Sequence, residues 1–252
     1  MIQTLRVATY NIHKGFSFFK RRMVIHDLRE KLRALNADLV FLQEVLGSHD
    51  RHAARHDDWP REPQYEFLAD QMWNDFAYGR NSVYDAGHHG NAVLSRFPIA
   101  RWDNQDVSAH GFERRGLLHC EIEVPGWPQP LHSICVHLGL LARGRSRQIE
   151  WLRQRIENLV PADAPLIVAG DFNDWHWRHK ATHELAYPLN MHEVFELTNG
   201  VPARSFPAAL PVFRLDRIYV RGFRVGHAHV HHGPAWARIS DHAALTTTLV
   251  RL

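Results

Sequence analysis

The sequence is poor in lysine and cysteine, and it has no long apolar run. Lysine occurs only at positions 14, 20, 31 and 180, so arginine carries almost all of the positive charge. The formal net charge is +3. That balance permits an anionic partner without requiring one, and a general preference for arginine explains it equally well. Arginine suits phosphate because its planar fork donates two parallel hydrogen bonds. Only Cys120 and Cys135 are present. Two cysteines in 252 residues exclude a disulfide framework, and a reduced, cytoplasmic setting is expected. No apolar run approaches the roughly 20 residues that span a bilayer, and the start, MIQTLRVATYNIH, lacks the apolar stretch of a signal peptide. No CxxC pair has zinc-ligand spacing and no HExxH occurs, which removes the common zinc sites.

Neither a repeat nor a low-complexity linker divides the chain, so a single domain over 1–252 is expected. Strand-like runs cover Leu5–Asn11, Asp38–Val45, Asn91–Ser95, Leu117–Val124, Leu131–Leu138, Leu166–Asp171, Leu215–Val220, Phe223–His231 and Ala243–Val250. LHCEIEV alternates apolar and polar residues, as one buried sheet face requires. LIVAGD and DLVFLQEV are nearly continuous and suit central strands. Apolar residues at helical spacing predict helices over Arg22–Leu35 and Ser146–Leu159, the second stopped by Pro161. The polar stretch 47–63 reads as a mobile loop. Many strands with interspersed helices point to an α/β fold of two packed sheets flanked by helices.

Several strands end on a polar group: Asn11, Glu44, His137, Asp171 and Asn173. One such ending is unremarkable, because Asp and Asn start turns. Several together gather carboxylates, amides and imidazoles at one sheet edge, where ligand sites form. Asp and Glu oxygens suit a hard cation such as Mg²⁺ or Mn²⁺; His and Asn donate to phosphate; an Asp can activate water. Hydrolysis of a phosphoester needs that inventory.

The ordered set TYNIHKG (9–15), LQEV (42–45), GNAVLSRFP (90–98), HLG (137–139), GDFND (170–174), LDRIYV (215–220) and SDH (240–242) resembles the motifs of the endonuclease/exonuclease/phosphatase superfamily over residues 4–250. The group includes deoxyribonucleases, apurinic-site endonucleases, tyrosyl-DNA phosphodiesterases and neutral sphingomyelinases. HLGLLARGRSRQIEWL is closest in look to small bacterial members. The resemblance implies a four-layer αββα sandwich of two packed, mostly antiparallel or mixed sheets. It implies a catalytic set of Asp171, His242, His137, Asn173 and Asp216. In it, Asp171 activates water, Asn173 and His137 meet the scissile phosphate, and Asp216 holds the His242 ring. It implies metal ligands Glu44, Asn11 and Asp241 and one or two Mg²⁺ or Mn²⁺ ions. Arg115, Asn91 and Trp175 are further candidates for substrate contact, although a solvated Arg115, a structural Asn91 and a loop-packing Trp175 account for them too. Trp175 and Trp177 suit stacking on bases or resting against lipid. KRR (20–22) and RGRSR (143–147) suit phosphate capture or a plain solvated face.

The expected function is thus metal-dependent phosphodiester hydrolysis on nucleic acid, by a monomer. The alternatives are a phospholipid or sphingolipid head-group phosphodiesterase in peripheral contact with membrane lipid, and a non-catalytic module that binds phosphate ligands or protein. The complete acidic set argues against the last.

Overall fold

The computed structural model describes residues 2–17, 22–175 and 185–252. Two βαβ crossovers organise it. In the first, β1 (Thr4–Asn11) leads through α1 (Ile25–Leu35) to β2 (Leu39–His49), which pairs parallel with β1, Val7 beside Leu39. In the second, β7 (Leu131–His137) leads through α4 (Ala142–Leu159) to β8 (Leu166–Asp171), again parallel, His137 beside Asp171. Parallel neighbours need such a crossover because one strand must return to the starting edge. Antiparallel strands extend each pair into a six-stranded sheet. One sheet has the order β11-β12-β1-β2-β4-β3 and the other β5-β6-β7-β8-β10-β9. Their further strands are β3 (Asp75–Tyr84), β4 (Gly87–Ser95), β5 (Ile99–Asp106), β6 (Gly116–Ile122), β9 (His192–Glu193), β10 (Asp216–Arg221), β11 (Phe223–His231) and β12 (Ala244–Arg251).

Alternation along the central strands builds the layers. Val7, Phe41 and Val93 of the first sheet meet Leu118, Cys135, Ala169 and Ile218 of the second in the core between them. The opposite faces carry Tyr10, Val40 and Leu42 under Leu28 and Leu32 of α1, and Ile134, Val136 and Val168 under Ile149, Leu152 and Ile156 of α4. Both faces of β8 and of the first half of β2 are buried, which is why LIVAG and LVFL run apolar without interruption. Each such Leu or Ile contributes about 1.5–3 kcal/mol of burial. The result is the expected α/β sandwich of two mixed sheets with helices outside.

Several expected boundaries shift. Helix α1 begins at Ile25 rather than Arg22, because an antiparallel bridge between Phe16 and Met23 holds the preceding residues extended. It ends on Asn36, whose φ of 50° is the left-handed cap that Asn tolerates. Helix α4 begins four residues early, at Ala142. Its first turn shows no apolar periodicity: Gly144 lies under His110, and buried Arg145 donates to the carbonyls of Gly139 and Leu140. The stretch 47–63 is partly ordered, which corrects its reading as a loop. Strand β2 continues to His49, whose Nδ1 accepts from His52 N and caps the short helix α2 (Asp50–Ala53), and α3 (Gln64–Ala69) follows. Strands β3 and β5, edge strands with few buried side chains, were not expected. Lys20, Arg21 and Trp177 lie outside the described residues. Among the described residues no helix is long and apolar enough to cross a membrane.

Candidate active site

The carboxyl ends of both parallel pairs open on one edge. Asn11 closes β1, Glu44 lies in β2, and His137 and Asp171 close β7 and β8 side by side. Asp216 opens β10 opposite Asp171, because that strand runs antiparallel. Two local distortions aim the side chains. The β2–β4 ladder skips from Leu42–Ala92 to Val45–Gly90, and inside this bulge Glu44 adopts φ 56°. Asn173 adopts φ 49° and folds GDFND back, its backbone N–H donating to Asp171 Oδ1 at 2.9 Å. A non-glycine residue held there stores on the order of 1 kcal/mol of strain, a common feature of functional turns.

Asp171 stands at the centre and is buried. Its Oδ2 accepts from Asn11 Nδ2 at 3.1 Å. The same oxygen faces His137 Nε2 at 3.6 Å and His242 Nε2 at 3.7 Å. Both gaps exceed a hydrogen bond, so each ring nitrogen keeps capacity for another partner. His242 Nδ1 bonds Asp216 Oδ2 at 2.7 Å. A carboxylate only accepts, so His242 carries a proton on Nδ1. Ser240 anchors this loop: its hydroxyl donates to Asn11 O at 2.7 Å and accepts from His242 N at 3.3 Å.

The two imidazoles are driven apart. Burial alone pushes His242 down, but Asp216 and Asp171 outweigh it and raise the ring to about 10. Burial, then the charges of Arg115 and His242, hold His137 well below the usual histidine range. Near neutral pH the site therefore contains one imidazolium and one neutral imidazole. Burial raises the Asp171 carboxyl against the pull of His242 and the hydrogen bonds from Asn173 and Asn11.

Glu44 follows Gln43, the β2 residue paired with Asn11. Burial would raise its carboxyl, but Lys14, His13, His242 and His89 together hold it low. The Lys14 ammonium is 3.8 Å away. His13 N donates to Asn11 Oδ1 at 3.1 Å, and Ser240 Oγ lies 3.3 Å from Asp241 Oδ1. Glu44, Asn11 and Asp241 thus offer hard oxygens, and an ammonium already attends one of them. That chemistry fits a divalent cation. Asp171, Asp216 and His242 also lie close enough to hold a metal. Of their donor atoms only His242 Nδ1 and Asp216 Oδ2 are bonded to each other, and the Nδ1 proton blocks coordination through that nitrogen.

The other candidates are placed differently. Asn91 is buried between the sheets and donates to Gly116 O at 3.0 Å and Cys135 O at 3.4 Å. Arg115 lies beside His137, its Nε donating to Leu138 O at 3.1 Å and its Nη2 to Glu113 at 2.9 Å. Leu138 O also accepts from Asn173 Nδ2, at 2.9 Å. Trp175 is exposed and packs its ring against Phe206 and Phe213. Sequence reasoning missed Arg217. It is fully buried on the opposite face of β10 from Asp216, and its Nη2 lies 3.5 Å from Asp174 Oδ2 in the GDFND turn. The available signal was its place directly after Asp216 in the strand run LDRIYV, which puts it on the opposite face.

Residues 8–242 match the model of the Endonuclease/Exonuclease/phosphatase family. Over 246 residues, 98% of this chain and 96% of the other, the chain is 47% identical to YbhP, an uncharacterized protein of Escherichia coli strain K12. Among solved structures, the human Nocturnin catalytic domain with bound sulfate superposes with a TM-score of 0.77 at 20% identity, covering 99% of this chain and 94% of that one. D. rerio TDP2 complexed with a single-strand DNA product superposes with a TM-score of 0.70 at 18% identity, covering 98% of each. This protein belongs to the Endonuclease/Exonuclease/phosphatase family, whose members are hydrolases acting on phosphoester bonds.

Proposed function

We propose that the chain is a divalent-metal-dependent phosphodiesterase acting as a monomer through one domain spanning 1–252, in a reducing cytoplasmic setting. The observation that carries this reading is Asp171 Oδ2 standing between His137 Nε2 and His242 Nε2, both near and neither bonded. Asp171 orients a water and takes its proton, and its raised affinity for protons suits a base working near neutrality. The imidazolium of His242, held by Asp216, donates to a phosphoryl oxygen as charge develops there. His137 presents its ring N–H to another oxygen or to the leaving group. Asn173 contacts the scissile phosphate, and Arg115 adds positive charge beside it. Glu44, Asn11 and Asp241 would hold one or two Mg²⁺ or Mn²⁺ ions, whose chemistry there is neutralisation of phosphate charge.

Nucleic acid is the first substrate reading. The single-strand DNA product bound to D. rerio TDP2, a protein of this fold, supports it. A head-group diester of a membrane lipid is the second. Exposed apolar loop tips around the mouth favour it, Leu140 and Leu210 among them. Bis-(p-nitrophenyl) phosphate tests the chemistry: turnover appears with Mn²⁺, stops with EDTA, and falls by at least about 10³ in Asp171→Ala. Full activity in that variant would end the mechanism. Oligonucleotide cleavage against head-group release from vesicles separates the two substrates.

A further inference from the structure

Four segments frame the mouth: 109–115, 139–147, 173–175 and 203–214. They carry six of the chain's exposed large hydrophobic residues. Phe112, Leu140 and Leu141 stand on the His137 side; Trp175, Leu210 and Val212 stand on the His242 side. Hydrogen bonds and ring contacts fix both groups to the site. Leu140 N donates to Glu113, whose other partner is Arg115 beside His137. Phe206 and Phe213 bridge antiparallel and hold Leu210 and Val212 on a short projecting turn, while the Phe206 ring lies 5.2 Å from His242. Phe112 is 78% exposed and Leu210 74%, so neither packs a loop.

The charge on this rim is one-sided. The four segments contain seven arginines and two acidic residues. Both acids are buried beside an arginine: Glu113 by Arg115 at 2.9 Å, Asp174 by Arg217 at 3.5 Å. Arg114, Arg143, Arg147 and Arg204 are exposed among the apolar tips. A polyanion would answer the arginines, and Phe112 and Trp175 offer rings, but the other four tips, Leu140, Leu141, Leu210 and Val212, have none on which bases stack. A second copy would cover the apolar tips but set arginine against arginine. An anionic phospholipid leaflet answers both, with apolar tips in the acyl boundary and guanidinium groups at the phosphates.

We propose that this rim docks the protein on an anionic phospholipid surface, with the Asp171 site facing the leaflet. The inference rests on the head-group reading for its purpose, but the binding itself is measured apart from hydrolysis. The full chain, with Mg²⁺ present, is floated with phosphatidylglycerol/phosphatidylcholine vesicles and with phosphatidylcholine alone. It floats with the first and far less with the second. Leu141→Asp combined with Leu210→Asp lowers the bound fraction at least about tenfold, while turnover of soluble bis-(p-nitrophenyl) phosphate persists and shows the variant folded. Arg143→Glu lowers binding about fivefold. Leu159→Asp, at the far end of the same helix and also exposed, binds as the parent does. Failure of the parent to float overturns the proposal. So does equal loss in Leu159→Asp, or a rim variant that loses oligonucleotide binding or self-association while still floating. Flotation without head-group release keeps the docking surface and removes the head-group reading.

Discussion

His242 Nδ1 lies 2.7 Å from Asp216 Oδ2, and the same ring's other nitrogen lies 3.7 Å from Asp171. A single imidazolium therefore sits between a carboxylate that holds it and a second carboxylate that it faces without bonding.

Asp216→Asn removes most of the support for that charge. The alkaline limb of kcat/KM moves to lower pH, and kcat falls by roughly 10²–10³. Stability shifts too. The folded His242 binds its proton up to about 10, far above the ordinary 6.5, so its stabilisation is complete below pH 6.5 and is lost between there and pH 10. Asp171, also raised, acts in the same direction over a lower window. Melting curves in EDTA from pH 6 to 10 show Tm declining in the parent, and a flatter profile in the variant. An unchanged slope would contradict the assignment.

Glu44→Gln keeps the size and one acceptor oxygen but removes the charge attended by Lys14. The Mg²⁺ concentration for half-maximal turnover rises at least about tenfold, with Tm nearly unaltered. A metal titration of diester hydrolysis reads this directly.

Arg217→Met removes one of the positive charges beside the buried Asp174, Arg145 being another. Breaking such a pair costs about 3–5 kcal/mol. Pairing it with Asp174→Asn recovers part of that loss, which a double-mutant cycle in urea measures.

Cys120 and Cys135 are both buried between the sheets. Burial pushes the Cys135 thiol up to about 12 and raises Cys120 as well. Iodoacetamide at pH 8 labels neither in the folded protein and both in urea. Rapid native labelling would show that the sheets open.

The central strands were legible because their environment is uniform. LIVAGD is apolar on both faces and spans β8 without error. The edge strands were not, because β3 and β5 bury little and so carry almost no pattern. Helix α4 was legible where Ile149, Leu152 and Ile156 meet the sheet. Its first turn is held by polar contacts to loop carbonyls that no periodicity announces.

Within the site, residue types and order came from the sequence alone: an Asp in GDFND, a His in SDH, a Glu after a continuous strand. Covalent order determines such motifs, and each needs only its own few residues to be read. Tertiary structure decided how they meet. Asn11 and Asp171, 160 positions apart, share a hydrogen bond because two separate crossovers end on one edge. Asn91 bonds Gly116 and Cys135 between the sheets rather than joining that cluster. GDFND proved to be a turn fastened from below by Arg217, and SDH a loop fastened by Ser240 to the end of β1. Pairing, burial and the proton affinities that follow depend on which distant groups share a low-dielectric space, and only the packed sheets bring them together.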